Sequence, residues 1–392
     1  MTGSSPHRIW IVVPTYWGLR RGSPFDHPTP LDGESTLPRL LASLTRQEEA
    51  PSFAVLILAA TVDAASSRQA SQRLGQIVEP FRAFYPLALA DHRTLQVISQ
   101  ILKGMALDQA ALDLASYAGV RNLQLLIPAA LGAELIVALD DDEVVSPMHV
   151  ARAHQTAGML ARQGVPFGIA GPYLGPDGSP FLPEASEPAH LFDEKPALMN
   201  RTVRQLIEDD DPFPCSPLAL GGNMVFPRSL FEQIGFDPAI TRGEDIDYLI
   251  NARLARFDFH FDGLLALEHL PPRHYEASAY ARLRHDVYRF VYEREKLRLA
   301  GIAPQTFDPY PGRLLRADLL DHARTALATE FPADGDERWG RPDSIPEGAQ
   351  AHAAVQAPKY FEFARRWPAM MEALASPEPS SAIQSSLVQS SW

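Results

Sequence analysis

Glu134-Leu135-Ile136-Val137-Ala138-Leu139-Asp140-Asp141-Asp142-Glu143-Val144-Val145 is an apolar run that ends in four consecutive acids. Small and β-branched residues without helical spacing predict a strand buried on both faces, the kind found in parallel sheets. The acids then stand at its carboxyl end. In an open α/β sheet that edge is where ligands bind, so carboxylates there are positioned as a site. Adjacent carboxylates repel, and protons, hydrogen bonds or a cation must offset the cost. A divalent metal is the simplest compensation, and oxygen-rich ligand sets favour Mg2+ or Mn2+ over softer metals. The alternative is a solvated acidic turn after a core strand.

Upstream, residues 9–13 followed by Pro14-Thr15-Tyr16-Trp17-Gly18 predict a first buried strand entering a turn. Residues 19–36 read as a long loop, and Thr36-Leu37-Pro38 opens a helix with Leu37, Leu40, Leu41 and Leu44 on one face. Residues 53–60 form a second buried strand, with Asp63 just beyond its carboxyl end. A helix over about 66–84, a short third strand over 95–98, and helical segments at 106–118 and 122–131 lead into the acidic strand. This alternation indicates βαβ units and a parallel sheet. Neither the GxGxxG dinucleotide fingerprint nor a P-loop is present.

Downstream, residues 147–163 read as a helix and 168–173 as a further strand. The acid run at 208–211 lies in polar sequence and reads as a solvated loop. Residues 218–226 read as a strand interrupted by Gly221 and Gly222, where a backbone can approach a ligand closely. A helix beginning near Gly243 buries Ile246, Leu249, Ile250 and Leu254 and carries Glu244 and Asp245 in its first turn. Acids there suit the helix dipole, which accounts for their type but not for the Arg242-Gly243 that precedes them. A last apolar strand over 257–267 ends in Glu268-His269-Leu270-Pro271-Pro272, which fixes His269 in orientation. From Ser278 the composition is helical: a stripe of Tyr280, Leu283, Val287, Phe290, Val291 and Leu297, then helices at 314–330 and 349–374, the latter broken at Pro358 and Pro368. Residues 376–392, mostly Ser, Pro and Gln, read as disordered.

The 392 residues can bury a large core, and 46% hydrophobic with 21% charged residues is ordinary for a soluble globular protein. A net charge of −13 argues against nucleic acid or an anionic membrane as the main partner. The single cysteine, Cys215, excludes an internal disulfide and reads as a small apolar space-filler in a reducing cytoplasm. No signal peptide and no apolar segment of membrane-spanning length is legible, so a soluble, cytoplasmic protein is expected.

The order of these pieces resembles the GT-A glycosyltransferases, most closely the family 2 type, over about residues 8–272: a strand into Pro14-Thr15-Tyr16, Arg121-Asn122, an apolar strand into Asp140-Asp141-Asp142, Gly221-Gly222-Asn223, Arg242-Gly243-Glu244-Asp245, and a strand-end His269. The resemblance implies an α/β, Rossmann-like fold with a mostly parallel sheet flanked by helices. It divides the chain into an N-terminal tail (1–7), a GT-A domain (8–275, with a nucleotide-binding half over 8–146 and an acceptor half over 147–275), a helical C-terminal region (276–375) and a disordered tail (376–392). It implies a nucleoside diphosphate sugar as donor. Pro14, Thr15, Tyr16 and Asp63 would border the nucleoside, Arg121 and Asn122 the base or diphosphate, and Gly222 and Asn223 the sugar nucleotide. Asp140 or Asp141 would hold the ribose or a metal-bound water, and Asp142, with His269 and Asp140, would ligate Mn2+ or Mg2+. In an inverting enzyme Asp245, with Glu244 second, would take the acceptor hydroxyl's proton. A retaining enzyme would need no such base.

The chain departs from the family pattern in lacking adjacent acids at the end of the second strand and the Gln-x-x-Arg-Trp motif of processive members. A single transfer to a small or soluble hydroxyl acceptor follows. Two other readings remain at this stage. Asp140-x-Asp142 also fits the nucleophile motif of haloacid dehalogenase-like phosphatases, and a non-catalytic GT-A-like module would bind a nucleotide sugar without turnover. The C-terminal helices would dimerise, dock a partner or cover the acceptor site.

Overall fold

In a computed structural model of the chain, residues 8–18, 28–61, 64–107, 111–272, 278–331 and 337–389 are described; Asp63 lies outside them. The fold is mixed α/β. Strand β1 (Ile9–Trp17) leads through helix α1 (Leu37–Leu44) to β2 (Phe53–Thr61), and α2 (Ala64–Val78) leads to β3 (Leu87–Ala90). Helices α3 (His92–Gly104) and α4 (Tyr117–Ala130) then return the chain to β4 (Leu135–Ala138). These four strands are parallel. They are buried on both faces: Trp10 and Val12 of β1 enter the core on one side of the sheet, and Ile9, Ile11 and Val13 the core on the other.

Past β4 the chain forms β5 (Glu143–Val145), α5 (His149–Gln163), β6 (Phe167–Ala170), β7 (Tyr173–Leu174), α6 (Lys195–Ile207), β8 (Met224–Pro227), α7 (Arg228–Phe231), α8 (Glu244–Leu254), β9 (Asp258–Phe261) and β10 (Leu267–His269). Helices α9 (Ala279–Ala300), α10 (Leu319–Glu330), α11 (Ser344–Ala375) and α12 (Pro377–Ser386) follow, and β11 (Val388–Gln389) ends the described chain. The main sheet has the order β11-β3-β2-β1-β4-β8-β6-β9, and β5, β10 and β7 form a second sheet. Since β1 has β2 on one side and β4 on the other, the strand order reverses between β1 and β4. That is the topological switch point at which open α/β sheets bind ligands. The pairing register opens the crevice: β1 pairs with β2 along its whole length, Ile9 with Phe53 to Trp17 with Thr61, but with β4 only as far as Val12 and Ala138.

Several expectations from sequence are corrected. Leu95 and Ile98 belong to helix α3, whose N-cap Asp91 accepts a hydrogen bond from the Arg93 amide; the third strand is the preceding Leu87–Ala90, which lacks β-branched residues. Helix α4 starts at Tyr117 behind the Ser116 cap, so Arg121 and Asn122 lie inside it rather than before it. Residues 218–223 are not strand, and the segment expected over 257–267 divides into β9 and β10. Helix α11 starts at Ser344 and runs through both Pro358 and Pro368. Cys215 is exposed, not a space-filler.

Within the tail expected to be disordered, the described residues 376–389 are ordered. Pro377 and Pro379 sit in the first turn of α12, where proline suits a helix start. Ile383 and Leu387 are buried, Ser380 Oγ donates to the Ala130 carbonyl at 2.6 Å, and β11 pairs antiparallel with β3 and covers that sheet edge. Helix α11 also ties the two halves of the chain together. Its Ile345, Ala349, Ala353 and Ala357 pack with α9 and α10, whereas Tyr360, Phe363, Trp367 and Met370 enter the sheet core, with Trp367 Nε1 donating to the Phe231 carbonyl at 2.8 Å. The apolar stripe of α9 is therefore consumed inside the chain, and Tyr360 and Phe363 of α11 pack into the sheet core. Among the described residues no helix is long and apolar enough to cross a membrane.

Candidate functional site

The acidic turn opens into a pocket of about 370 Å3. Asp140, Asp141 and Asp142 form one wall, joined by Tyr16, Arg121 and His269, and the start of α8 with Glu244 and Asp245 forms another. Each arrives through local structure. After Val12 accepts its last bond from the Leu139 amide, β4 ends and the turn drops into the crevice. Strand β5 then joins the second sheet, where Glu143 pairs with His269 across an antiparallel ladder and the Leu270 amide donates to the Asp142 carbonyl at 3.0 Å. That ladder brings His269 Nε2 to 3.4 Å from Asp142 Oδ2.

The three aspartates have separate partners. Asp140 is gripped by the Arg121 guanidinium at 2.9 and 3.1 Å, and Arg121 Nε also reaches Glu244 Oε1 at 3.3 Å. Asp141 accepts from Thr15 Oγ1 at 2.5 Å. Asp142, nearly buried, faces His269. Asp140, expected among the metal ligands, is therefore engaged by Arg121, and the phosphatase reading, which needs Asp140 as nucleophile, finds that carboxylate held in an ion pair. Glu143, given no role beforehand, is fully buried and its Oε2 accepts from the Asp140 amide at 2.8 Å, fixing the turn from beneath.

Other expected residues shape the walls instead of lining the pocket. Asn122 is buried in α4; its amide donates to the Ala111 and Phe236 carbonyls and its oxygen accepts from the Phe236 amide. Asn223 donates to the Pro172 and Leu265 carbonyls. Pro14 lies in β1 opposite Leu58. At Gly222 a Cβ would stand 1.9 Å from Glu143, so a side chain there would break the support under the turn. Tyr16 does line the pocket and meets Tyr117 edge-on at 5.2 Å.

Crowded carboxylates hold protons tightly. Burial, then repulsion from Asp142, raises Asp141 to about 8 against the pull of Thr15. Burial raises Glu244 to about 7, opposed by Arg121 and reinforced by Asp245. Burial lifts Glu143 well above its ordinary value, with Asp140 and Asp142 adding to it. Burial alone would lower His269, but the hydrogen bond and charge of Asp142 and the charge of Asp140 outweigh it and raise its proton affinity. The turn therefore attracts positive charge. A carboxylate and an imidazole converging there suit a divalent cation that takes its remaining ligands from phosphate oxygens and water. Among the described residues no group of three or more His, Cys, Asp or Glu forms a metal cage.

Sequence reasoning missed a cationic wall. Lys195 of α6, Arg242, and Arg289 of α9 line the same pocket, with Asp286 and Tyr310. Only two signals hinted at them: Lys195 is isolated between Lys103 and Lys296, and Arg242-Gly243 had no helix-capping rationale. Gly243, the N-cap of α8, has φ +74°, and a Cβ there would lie 1.6 Å from Arg289 Nη1, so glycine is required by backbone and by packing alike.

Fully buried Glu293 lies behind Arg289, its Oε1 3.7 Å from Nε. Burial outweighs the attraction of Arg289 and raises Glu293 from 4.5 to about 8. A carboxyl whose folded value lies above its unfolded one contributes its full stability at low pH and loses it as pH rises through the folded value. Between pH 5 and 8 this group should cost about 1.4 kcal/mol of stability per pH unit. Denaturant unfolding of Glu293→Gln should show that slope reduced, and an unchanged slope would contradict the assignment.

No protein-family model and no curated protein matches the chain. Among solved structures it is similar to the mannosyltransferase PcManGT from Pyrobaculum calidifontis in complex with GDP-Man and Mn2+, at 16% identity, covering 98% of this chain and 88% of that one, with a TM-score of 0.44. It is also similar to S. aureus TarS 1-349, at 14% identity over 92% of this chain and 91% of that one, TM-score 0.41. The same TarS segment in complex with UDP-GlcNAc gives 14%, 96%, 91% and 0.39. What the site can do follows from its own residues.

Proposed function

We propose that the chain is a metal-dependent glycosyltransferase of the GT-A, family 2 type that moves a sugar from a nucleoside diphosphate sugar to a hydroxyl of a small or soluble acceptor, once per encounter and with inversion. The observation that carries this reading is the pairing, within one pocket, of Asp142 and His269 at the carboxyl end of β4 with Asp245 at the start of α8. In this reading residues 8–146 bind the nucleotide and 147–275 the acceptor, with α9 adding to the acceptor side.

Tyr16 borders the nucleoside, and Arg121 holds Asp140 and Glu244 in place at the sugar's side of the pocket. A divalent cation on Asp142 and His269 would supply Lewis-acid stabilisation of the departing diphosphate. Asp245 takes the proton of the acceptor hydroxyl as its oxygen bonds to the anomeric carbon and the bond from that carbon to the β-phosphate oxygen breaks. Its Oδ2 accepts from the Gly221 amide at 3.1 Å, which aims the carboxylate into the pocket.

Calorimetric titration of UDP and GDP with and without Mn2+ tests the reading. One of the two should bind at least about ten-fold tighter with metal, a difference of about 1.4 kcal/mol, and Asp142→Ala should remove that gain. Absence of nucleotide binding under every metal condition would overturn the donor assignment.

A further inference from the structure

We propose that Tyr173 is a positioning residue for the transfer step: its hydroxyl holds the Gly221-Gly222 backbone that aims Asp245, while its ring seats His269 beside Asp142. The roles of Asp245 and His269 are those of the glycosyl-transfer reading, on which this inference rests; the contacts themselves do not depend on it. Tyr173 belongs to β7, which pairs with β10, and its ring meets that of His269 at 5.0 Å with a tilt of 35°. Its hydroxyl accepts from the Gly222 amide at 2.7 Å. One residue earlier, the Gly221 amide donates to Asp245 Oδ2 at 3.1 Å. A single side chain of the pocket wall thus touches the histidine beside the acidic turn and, through two consecutive amides, reaches the carboxylate at the start of α8.

Residues 218–223 lie outside any strand, so the Gly221 and Gly222 amides turn to side chains for acceptors. Both glycines are needed for this close approach. A Cβ on Gly222 would stand 2.7 Å from the Tyr173 hydroxyl and 1.9 Å from Glu143 Oε1, and one on Gly221 would stand 2.5 Å from Arg121 Nη2. The segment is therefore wedged against the two residues that fix Asp140: Glu143 accepts from its amide, and Arg121 grips its carboxylate. Packed contacts of this kind tie the seating of the donor to the placement of the base. Loss of the hydroxyl alone frees the Gly222 amide and loosens Gly221, whereas loss of the ring loosens His269 as well.

The test compares Tyr173→Phe, which loses the hydroxyl and keeps the ring, with Tyr173→Leu, which loses both; the melting transition checks that each folds. Hydrogen exchange in the full chain labelled with 15N-glycine reads the amides without any ligand. Both variants should speed exchange at Gly222 and Gly221 about ten-fold, as expected for one lost hydrogen bond, with Gly164 at the end of α5 unchanged. Calorimetry with UDP and GDP, with and without Mn2+, reads the ring. The metal-dependent gain should stay within about two-fold in Tyr173→Phe and fall about ten-fold in Tyr173→Leu. Turnover reads the base, as release of UDP from UDP-glucose or GDP from GDP-mannose with water in the acceptor's place. At saturating donor it should slow about ten-fold in Tyr173→Phe while the donor KM stays within about two-fold, a split that general loosening of the fold would not give. Unchanged exchange at Gly221 or unchanged turnover in Tyr173→Phe overturns the proposal. So does an equal loss of the metal-dependent gain in both variants, which would assign the hydroxyl to the donor. Faster glycine exchange in Tyr173→Phe without any nucleotide binding by the wild type would support the anchoring of the segment and sink the glycosyl-transfer reading instead.

Discussion

Asp245→Asn should lower the rate of sugar transfer at saturating substrates by about 10³-fold, within the 10²–10⁴ that a positioned general base contributes, while leaving metal-dependent nucleotide binding within about two-fold. The substitution keeps the shape and one acceptor oxygen but removes the basic group. Burial raises the proton affinity of Asp245, opposed by hydrogen bonds from the Ile246 and Gly221 amides and by the charges of Arg289 and Arg121. A raised value strengthens the group as a base near neutral pH. Removing this base should therefore alter the acid limb of the pH–rate profile, to which Asp141 and Glu244 also contribute. Glu244→Gln should act differently. Its carboxylate is committed to Arg121, so its loss should loosen Asp140 as well and raise KM along with lowering kcat. A drop of less than ten-fold for Asp245→Asn, measured as product formed per enzyme per second, would remove Asp245 as base and favour a retaining course.

The parts of the fold that were legible are those whose signal is local. The runs at β1, β2 and β4 announce strands because both faces are buried, and α8 announces itself through Gly243 followed by acids and an apolar spacing of three and four. The acidic turn was legible for the same reason, as an abrupt change of polarity at a strand end. What was hidden depends on distant packing. Strand β3 is Leu-Ala-Leu-Ala, with no β-branched residue to mark it, and becomes a strand only by pairing with β2 and β11. Asn122 looks like a ligand residue in sequence, yet its amide is saturated by backbone from Ala111 and Phe236, partners that no spacing rule connects. Lys195, Arg242 and Arg289 are scattered over nearly a hundred residues, and only the packing of α6 and α9 around α8 makes them one wall.

Lys296→Ala should destabilise the protein by about 3–5 kcal/mol, the cost of breaking a buried ion pair from one side. The Lys296 ammonium is fully buried and its three donors are all used, by Asp237 at 2.9 Å, Asp247 at 2.5 Å and Asn251 at 2.8 Å. The faces of Tyr360 and Tyr292 lie 4.3 and 5.1 Å away and favour the cation further. Removing it leaves two buried carboxylates without a counter-charge. Burial already raises Asp247 to about 6 against the pull of Lys296, so without the lysine it should rise further and fold only as the neutral acid. Stability of the variant should then fall more steeply than wild type as pH increases from about 5 to 8, since a raised folded value means stability present at low pH and lost on the way up. Lys296→Met, which keeps the apolar stem, should recover little of the loss; a recovery of more than half would mean that packing, not charge, carries the effect. The consequence reaches the site. Asp247 is two residues beyond Asp245 on α8, and Lys296 of α9 is what anchors that helix from behind, so the same substitution should slow transfer under conditions where the variant is still fully folded.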